Sequence, residues 1–506
     1  MKRINKLSVI FTIAATVLAG GCSLEKFPDG TIGIENAFLT MDDADRLRDG
    51  MYIVFRANAA GSPVYSPELM TDLFHATSTF GNRGGAMYNW IFTSDDSDVD
   101  ALWANSYSAI ANVNFFIEGA NSLDKSGMSE EDMETLTVWK GEAFFLRAWY
   151  HFRLMEKFCK TYPGNEDSFG VPYAKVYSPT SDQSKYLTRG TMRESVTAIN
   201  QDLDSAAAYV STKGSAGSIW ITSDVVSALR ARVALATGDY AGAISYAEPL
   251  LRTYPLATGE DTFRPIWTVD SGNECILQLD ASYPDALPSS YSYNYTAYNS
   301  LTGIYSPDFV PEQWVIDLYR ENPSDMRFST WFLYETITMT GNAKYDLYLF
   351  NKFPGNPALR EQGASNSNYI HKAKPFRIAE MYLILAEAYA RNGQEVQANE
   401  YLTSLRQSRI PGYAAPASGF SGETLLQEIF EERIRELMGE GFYLNDIRRY
   451  GKAVERRAAQ QSAAIYLPEV NEKFYMGVNE FRFVWPIPQA EIYANPNLAP
   501  EQNQGY

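Results

Sequence analysis

Cysteine and histidine are nearly missing from this chain, with three of each in 506 residues. Cys159 and Cys275 cannot form a disulfide framework in a chain this long, and the reading is two separate, buried thiols. None of His75, His151 and His371 stands in an H-E-x-x-H pair, which excludes that class of zinc hydrolase. G-x-S-x-G is also absent, and with it the commonest esterase elbow. Gly451-Lys452 lacks the upstream glycine of a phosphate loop, because position 446 is aspartate, and "GNRGGA" (81–86) departs from G-x-G-x-x-G. Nucleotide chemistry therefore has no support. Positive charge is short, 43 basic against 61 acidic residues for a net −18, which disfavours nucleic acid and other polyanions. Long apolar runs are missing after the first twenty residues, so no stretch there reads as a membrane span.

What is present begins at the N-terminus. Lys2, Arg3 and Lys6 precede an apolar run from Leu7 to Ala19 that is too short to cross a bilayer, the pattern of a secretory signal. "LAGGCSLEKFPDG" (18–30) then sets small residues before Cys22 and turn-forming chain after it. The motif resembles a bacterial lipoprotein box, with Ala19 three before the cysteine and Leu18 one place further back. It predicts a signal peptide over 1–21, acylation of Cys22 as the lipid anchor, and a tether over 22–39. Stable attachment needs more than one acyl chain, which a multiply acylated cysteine supplies.

The rest is dominated by helical periodicity. In residues 376–410, Ile378, Met381, Tyr382, Leu385 and Tyr389 recur on one face, "RNG" breaks the run at Gly393, and Ala398, Leu402 and Leu405 begin a second stripe. Residues 223–253 repeat the plan around a "GDY" turn. Two Ala-rich helical hairpins of this kind resemble tetratricopeptide repeats. Trp103, Tyr107, Ile110 and Asn114 pattern another helix, and Leu136, Trp139, Ala143, Leu146 and Tyr150 the next. Thr191 with Glu194 reads as a capping box. A late helix carries Leu426, Phe430, Ile434 and Leu437, and its interleaved Glu431, Glu432, Arg433, Arg435 and Glu436 read as a surface ion-pair network. Residues 256–374 change to Pro, Gly, Asn, Ser and Tyr with few helical stripes, and a stretch of that length is usually functional. The fold class is mainly α, with a helical scaffold over about 40–255 and 375–465, a loop-rich, minor-β lobe over about 256–374, and an irregular end over about 466–506.

Asp96, Asp98 and Asp100 alternate as in a calcium loop, but Ala101 stands where glycine is required and Tyr107 where glutamate is. The better reading is acidic residues favouring a helix start. No cofactor or metal is expected. Two aromatic runs in Gly/Ser/Asn-rich context, "MYNWIF" (87–92) and "YSYNYTAY" (291–298), suit sugars, whose C–H faces stack on rings while hydroxyls take hydrogen bonds. They nominate Tyr88, Trp90, Tyr291, Tyr293, Tyr295 and Tyr298 as ligand contacts.

Five stretches together carry a wider resemblance: "GEAFFLRAWYHFRLMEKF" (141–158) with "FGVPY" (169–173), "ALRARVALATGDYAGAISYAE" (228–248), "RIAEMYLILAEAYARNG" (377–393), "IFEERIRELMGEGFYLNDIRRYGK" (429–452) and "VWPIPQAEIYANPNLAPEQNQGY" (484–506). In this order the chain resembles the SusD/RagB family of outer-membrane lipoproteins. The resemblance implies a superhelix of four tetratricopeptide-like pairs, namely 40–58 with 101–121, 129–160 with 191–211, and the two hairpins. It also implies a cell-surface protein, lipid-anchored in the outer membrane, that binds oligo- or polysaccharide without catalysis and delivers it to a SusC-like TonB-dependent porin. The alternatives are an envelope glycosidase using dispersed carboxylates and a repeat scaffold that binds only proteins.

Overall fold

The computed structural model describes residues 36–282, 290–360, 369–461 and 474–506, with the backbone alone at 290 and 291. Cys22 and the leader lie outside the described residues. Ten helices form the scaffold: α1 Met41–Asn58, α2 Ser97–Ser122, α3 Glu130–Phe158, α4 Met192–Tyr209, α5 Ser223–Thr237, α6 Tyr240–Ala247, α7 Ile378–Arg391, α8 Glu395–Arg409, α9 Gly422–Leu437 and α10 Tyr443–Arg449. Local chemistry sets their starts. Thr191 Oγ1 accepts from Glu194 N at 3.1 Å while Glu194 Oε2 accepts from Thr191 N at 2.7 Å, the capping box the sequence announces. Asp96 caps α2 by accepting from Asp98 N at 2.9 Å, so the aspartate run serves a helix start. Gly238 (φ 79°) and Gly393 (φ 76°) take left-handed conformations where α5 and α7 stop.

The helices pair as expected, α1 with α2, α3 with α4, α5 with α6 and α7 with α8. Aromatic side chains lock the pairs together. Trp149 of α3 meets Phe55 of α1 edge-on at 4.8 Å, and Phe145 meets the same ring at 6.3 Å. Full burial of each such side chain contributes about 1.5–3 kcal/mol. Cys159 and Cys275 are free and buried, as the sequence suggests, and burial pushes the Cys275 thiol up to about 12.

The other elements are short. β1 Phe74–Ala76 pairs antiparallel with β5 Phe309–Pro311, and β2 Cys275–Leu277 with β8 Phe376–Arg377. A four-stranded sheet takes the order β3-β4-β6-β7, from Tyr298–Asn299, Ile304–Tyr305, Phe332–Thr338 and Lys344–Phe350, with β4 parallel to β6. Helices Glu260–Thr268, Gln313–Arg320 and Met326–Trp331 add to this region. At nine, eight and six residues they are too short for a stripe to repeat, which is why the sequence shows few.

One expectation is overturned. The charges of α9 are not a surface network. Glu432, Arg433, Arg435 and Glu436 are all buried. Glu432 binds Arg327 Nη1 at 2.7 Å and Arg406 Nε at 2.8 Å; Glu436 binds Arg377 Nη1 at 2.9 Å and Arg409 Nε at 3.0 Å. Arg409 also reaches Glu274 at 2.9 Å. Glu432 and Glu436 stand four apart on one helical face, and their partners lie up to 109 residues away, out of reach of local pattern. Burial acts to raise the Glu432 carboxyl, but Arg327, Arg406 and Arg435 hold it down at about 2. The network ties Glu274 and Arg327 of the strand-bearing region to α8 and α9, and so fixes the region that carries the surface described next.

Candidate ligand-binding surface

The run 87–92 folds inward. Gly84 in a left-handed conformation (φ 68°) starts a single helical turn, Gly85–Tyr88, and the chain leaves it through Trp90 at φ 56°. Met87, Tyr88, Trp90 and Phe92 are buried and only Ile91 faces out. Trp90 Nε1 donates to Met70 O at 2.7 Å, and the Tyr88 hydroxyl accepts from Ala76 N at 3.1 Å beneath the Arg456 guanidinium, 3.5 Å above the ring. Tyr88 and Trp90 are thus core residues, and the expectation that they offer stacking faces is corrected: each polar edge finds a partner inside, so nothing keeps the ring at the surface.

The second run divides. Helix Ser290–Thr296 turns Tyr295 inward, where it stacks on Phe74 at 4.5 Å and meets Phe350 at 5.3 Å and Tyr65 at 5.6 Å. Tyr295 is therefore also corrected to a core ring, because two positions along a helix carry a side chain to another face. Tyr293 is 48% exposed, with its edge 6.1 Å from Tyr369. The side chain of Tyr291 lies outside the described residues. Tyr298 is half-buried and pairs across β3 and β4 with Tyr305 at 4.6 Å. The hydroxyl of Tyr369 fixes this bend, accepting from Thr296 Oγ1 at 2.7 Å and Tyr298 N at 3.2 Å.

Beside these rings stands a residue the sequence reading missed. Arg83 lies in the "GNRGGA" loop, whose Gly81, Asn82 and Gly84 all take positive φ. Its Nε donates to Asp308 Oδ2 at 2.6 Å, a second bond joins Nη2 to Asp308 Oδ1, and Nη2 donates to Thr79 O at 2.8 Å. Asp308 N donates to Asn294 O at 2.8 Å, which joins this arm to the helix bearing Tyr293. The Arg83 side chain remains 57% exposed, and its bond to Asp308 keeps it charged. Nothing in the run except its glycines, which force a tight turn that projects one long side chain, could have pointed to it. Tyr305 and Tyr369, also missed, are single tyrosines outside any run.

An exposed ring, two half-buried rings and a guanidinium held in place by a buried carboxylate make a surface that can stack on an apolar face and donate to oxygen acceptors. Among the histidines, His151 has structural work away from this surface. His151 stacks on Tyr173 at 3.7 Å and bonds Arg147 O through Nδ1 at 2.8 Å, and burial drives it down to about 3. Among the described residues no three His, Cys, Asp or Glu side chains gather in a way that could hold a metal ion, and no helix is long and apolar enough to cross a membrane.

A family model described as "SusD family" matches residues 289–506, and one described as "Starch-binding associating with outer membrane" matches residues 31–235. The chain belongs to the SusD/RagB family. A SusD-like protein, P38, of Formosa agariphila is 23% identical over the full length of both chains. Among solved structures, a putative sugar binding protein from Bacteroides vulgatus has a TM-score of 0.75 at 24% identity, covering 93% of this chain and 99% of its own. A laminarin binding SusD-like protein has a TM-score of 0.68 at 20% identity, covering 93% of this chain and 100% of its own. The SusD-like helical superhelix is therefore the fold of this member as well.

Proposed function

We propose that this SusD-like protein binds oligo- or polysaccharide without cleaving it, held at the outer membrane by lipid on Cys22, and delivers the glycan to a SusC-like TonB-dependent porin. The observation that carries the binding reading is the exposed Tyr293 ring, on a helix tied to Arg83 through Asp308 and linked by Tyr369 to the Tyr298–Tyr305 pair. A family model described as starch-binding and a solved structure described as laminarin binding support the same class of ligand. Each ring stack contributes about 0.5–1.5 kcal/mol. Micromolar affinity needs about −8 kcal/mol, so the rings work together with hydrogen bonds from Arg83. Glu432 and Glu436 of α9 are sequestered by arginines, which leaves that pair of acids unsuited to glycoside cleavage.

Calorimetry against a panel containing starch and laminarin oligosaccharides tests the reading. Tyr293→Ala is expected to weaken the bound glycan about tenfold and Arg83→Ala by a similar factor, with the fold intact. Wild-type affinity in both variants would remove this surface from the binding site. New reducing ends on incubation with the bound glycan would replace the reading with the glycosidase. Copurification with a TonB-dependent porin from the native envelope tests the delivery step.

A further inference from the structure

A cavity of about 90 Å³ opens between α3, α5, α7, α9 and α10 and shares no residue with the tyrosine surface. Part of its wall is apolar, formed by buried Leu235 and Ile384 and half-buried Phe442. Its charges do not balance. Lys160, Arg232, Arg433, Arg448 and Arg449 line it against three carboxylates, Glu156, Glu380 and Asp446, with a fourth, Glu387, pairing Arg449 from outside the lining, in a chain whose net charge is −18. The carboxylates are already engaged. Glu380 takes Arg232 through both oxygens at 2.7 Å, Asp446 accepts from Arg433 Nε at 2.8 Å and Arg449 Nη2 at 2.6 Å, and Glu156 accepts from Asn445 Nδ2 at 2.7 Å.

Two guanidiniums are left short. Arg448 donates to the main-chain carbonyls of Glu156 and Cys159 and, among the described residues, hydrogen-bonds no carboxylate. Arg433 is 4% exposed, and its Nη1 has no hydrogen-bond partner among the described residues. A buried donor left unmet costs about 1–3 kcal/mol, and more when charged. An orphan guanidinium nitrogen in a cationic, partly apolar cavity is what a carboxylate oxygen would satisfy with a charge-assisted bond.

We propose that this cavity binds a small organic monocarboxylate, its oxygens meeting Arg433 and the neighbouring excess positive charge, and its short apolar part lying between Leu235, Ile384 and Phe442. Butyrate and its uncharged isostere butyramide, titrated by calorimetry into the purified protein at matched ionic strength, test this directly. Butyrate is expected to bind saturably and at least about tenfold more tightly than butyramide, the loss that follows when a bond to a charged group is removed. Arg433→Met should abolish that preference. Should Arg433→Met fail to fold, Ala236→Phe carries the test, since Ala236 is a half-buried cavity residue on α5 and the larger side chain fills the space. Absent saturable binding, equal binding of the two probes, or undiminished butyrate binding in a folded Ala236→Phe protein would each overturn the proposal.

Discussion

The aromatic runs 87–92 and 291–298 look alike in sequence, yet Tyr88 and Trp90 are sealed in the core while Tyr293 stands in solvent. Composition and polar neighbours are shared, so neither decides exposure. The backbone decides it. In the first run a left-handed glycine and a single helical turn fold each polar edge onto an internal partner, Met70 O for the indole and Ala76 N for the phenol. In the second, a seven-residue helix spreads alternate tyrosines onto different faces, and one of them faces outward.

The sharpest test of the contrast is truncation at its two extremes. Trp90→Ala removes a fully buried indole and is expected to destabilise the protein by about 3–5 kcal/mol in denaturant unfolding. Tyr293→Ala should change stability by no more than about 0.5 kcal/mol, as exposed substitutions do. Equal losses in the two variants would erase the distinction.

The same lesson applies to the buried carboxylates, whose fates differ with their partners. Burial acts to raise the Glu436 carboxyl, but Arg409, Arg377 and Arg327 hold it well below the ordinary range. Glu436→Gln leaves those arginines short of a counter-charge and is expected to cost about 3 kcal/mol at pH 7. Glu68 has no such partners: burial pushes it up to about 7, and its Oε2 makes no hydrogen bond among the described residues. Its folded value lies above its unfolded value of about 4.5. Its contribution is therefore fully present below pH 4.5 and lost as pH rises through 7. Glu68→Gln keeps an oxygen for Gly441 N and is expected to stabilise the protein by about 1–2 kcal/mol at pH 8 and not at pH 4. A pH-independent effect would overturn that assignment.

The helical frame was legible because its information is local. Period, caps and glycine stops at Thr191, Gly238 and Gly393 lie within a few residues of the helices they bound. The ion network was not, because Glu432 and Glu436 look from their neighbours like exposed i, i+4 charges, and Arg327 and Arg409 identify them as buried only after the chain has folded. The surface lay between these cases. Tyr293 and Tyr298 could be nominated from their run, whereas Arg83 depends on Asp308, 225 residues away. Tyr88 and Trp90 go inward because their polar edges meet partners that cannot be counted from sequence, and Tyr295 because its helix turns it onto Phe74.

Tyr298 and Tyr305 are the intermediate case, half-buried and tilted against each other at 4.6 Å across a two-residue strand pair. If they serve only to close the hairpin, a double-mutant cycle with alanine should return a coupling of about 0.5–1 kcal/mol in unfolding and none in glycan affinity. If they extend the Tyr293 platform, each single variant weakens the glycan and the coupling appears in binding as well. The exposed hairpin tip favours the second outcome. Leu301 stands out at 84% exposure beyond the tyrosine pair, so the hairpin buries little and gains correspondingly little from a packed pair. Two half-buried rings on an exposed hairpin then have more to offer a ligand than to the fold, and affinity should move further than stability in both single variants.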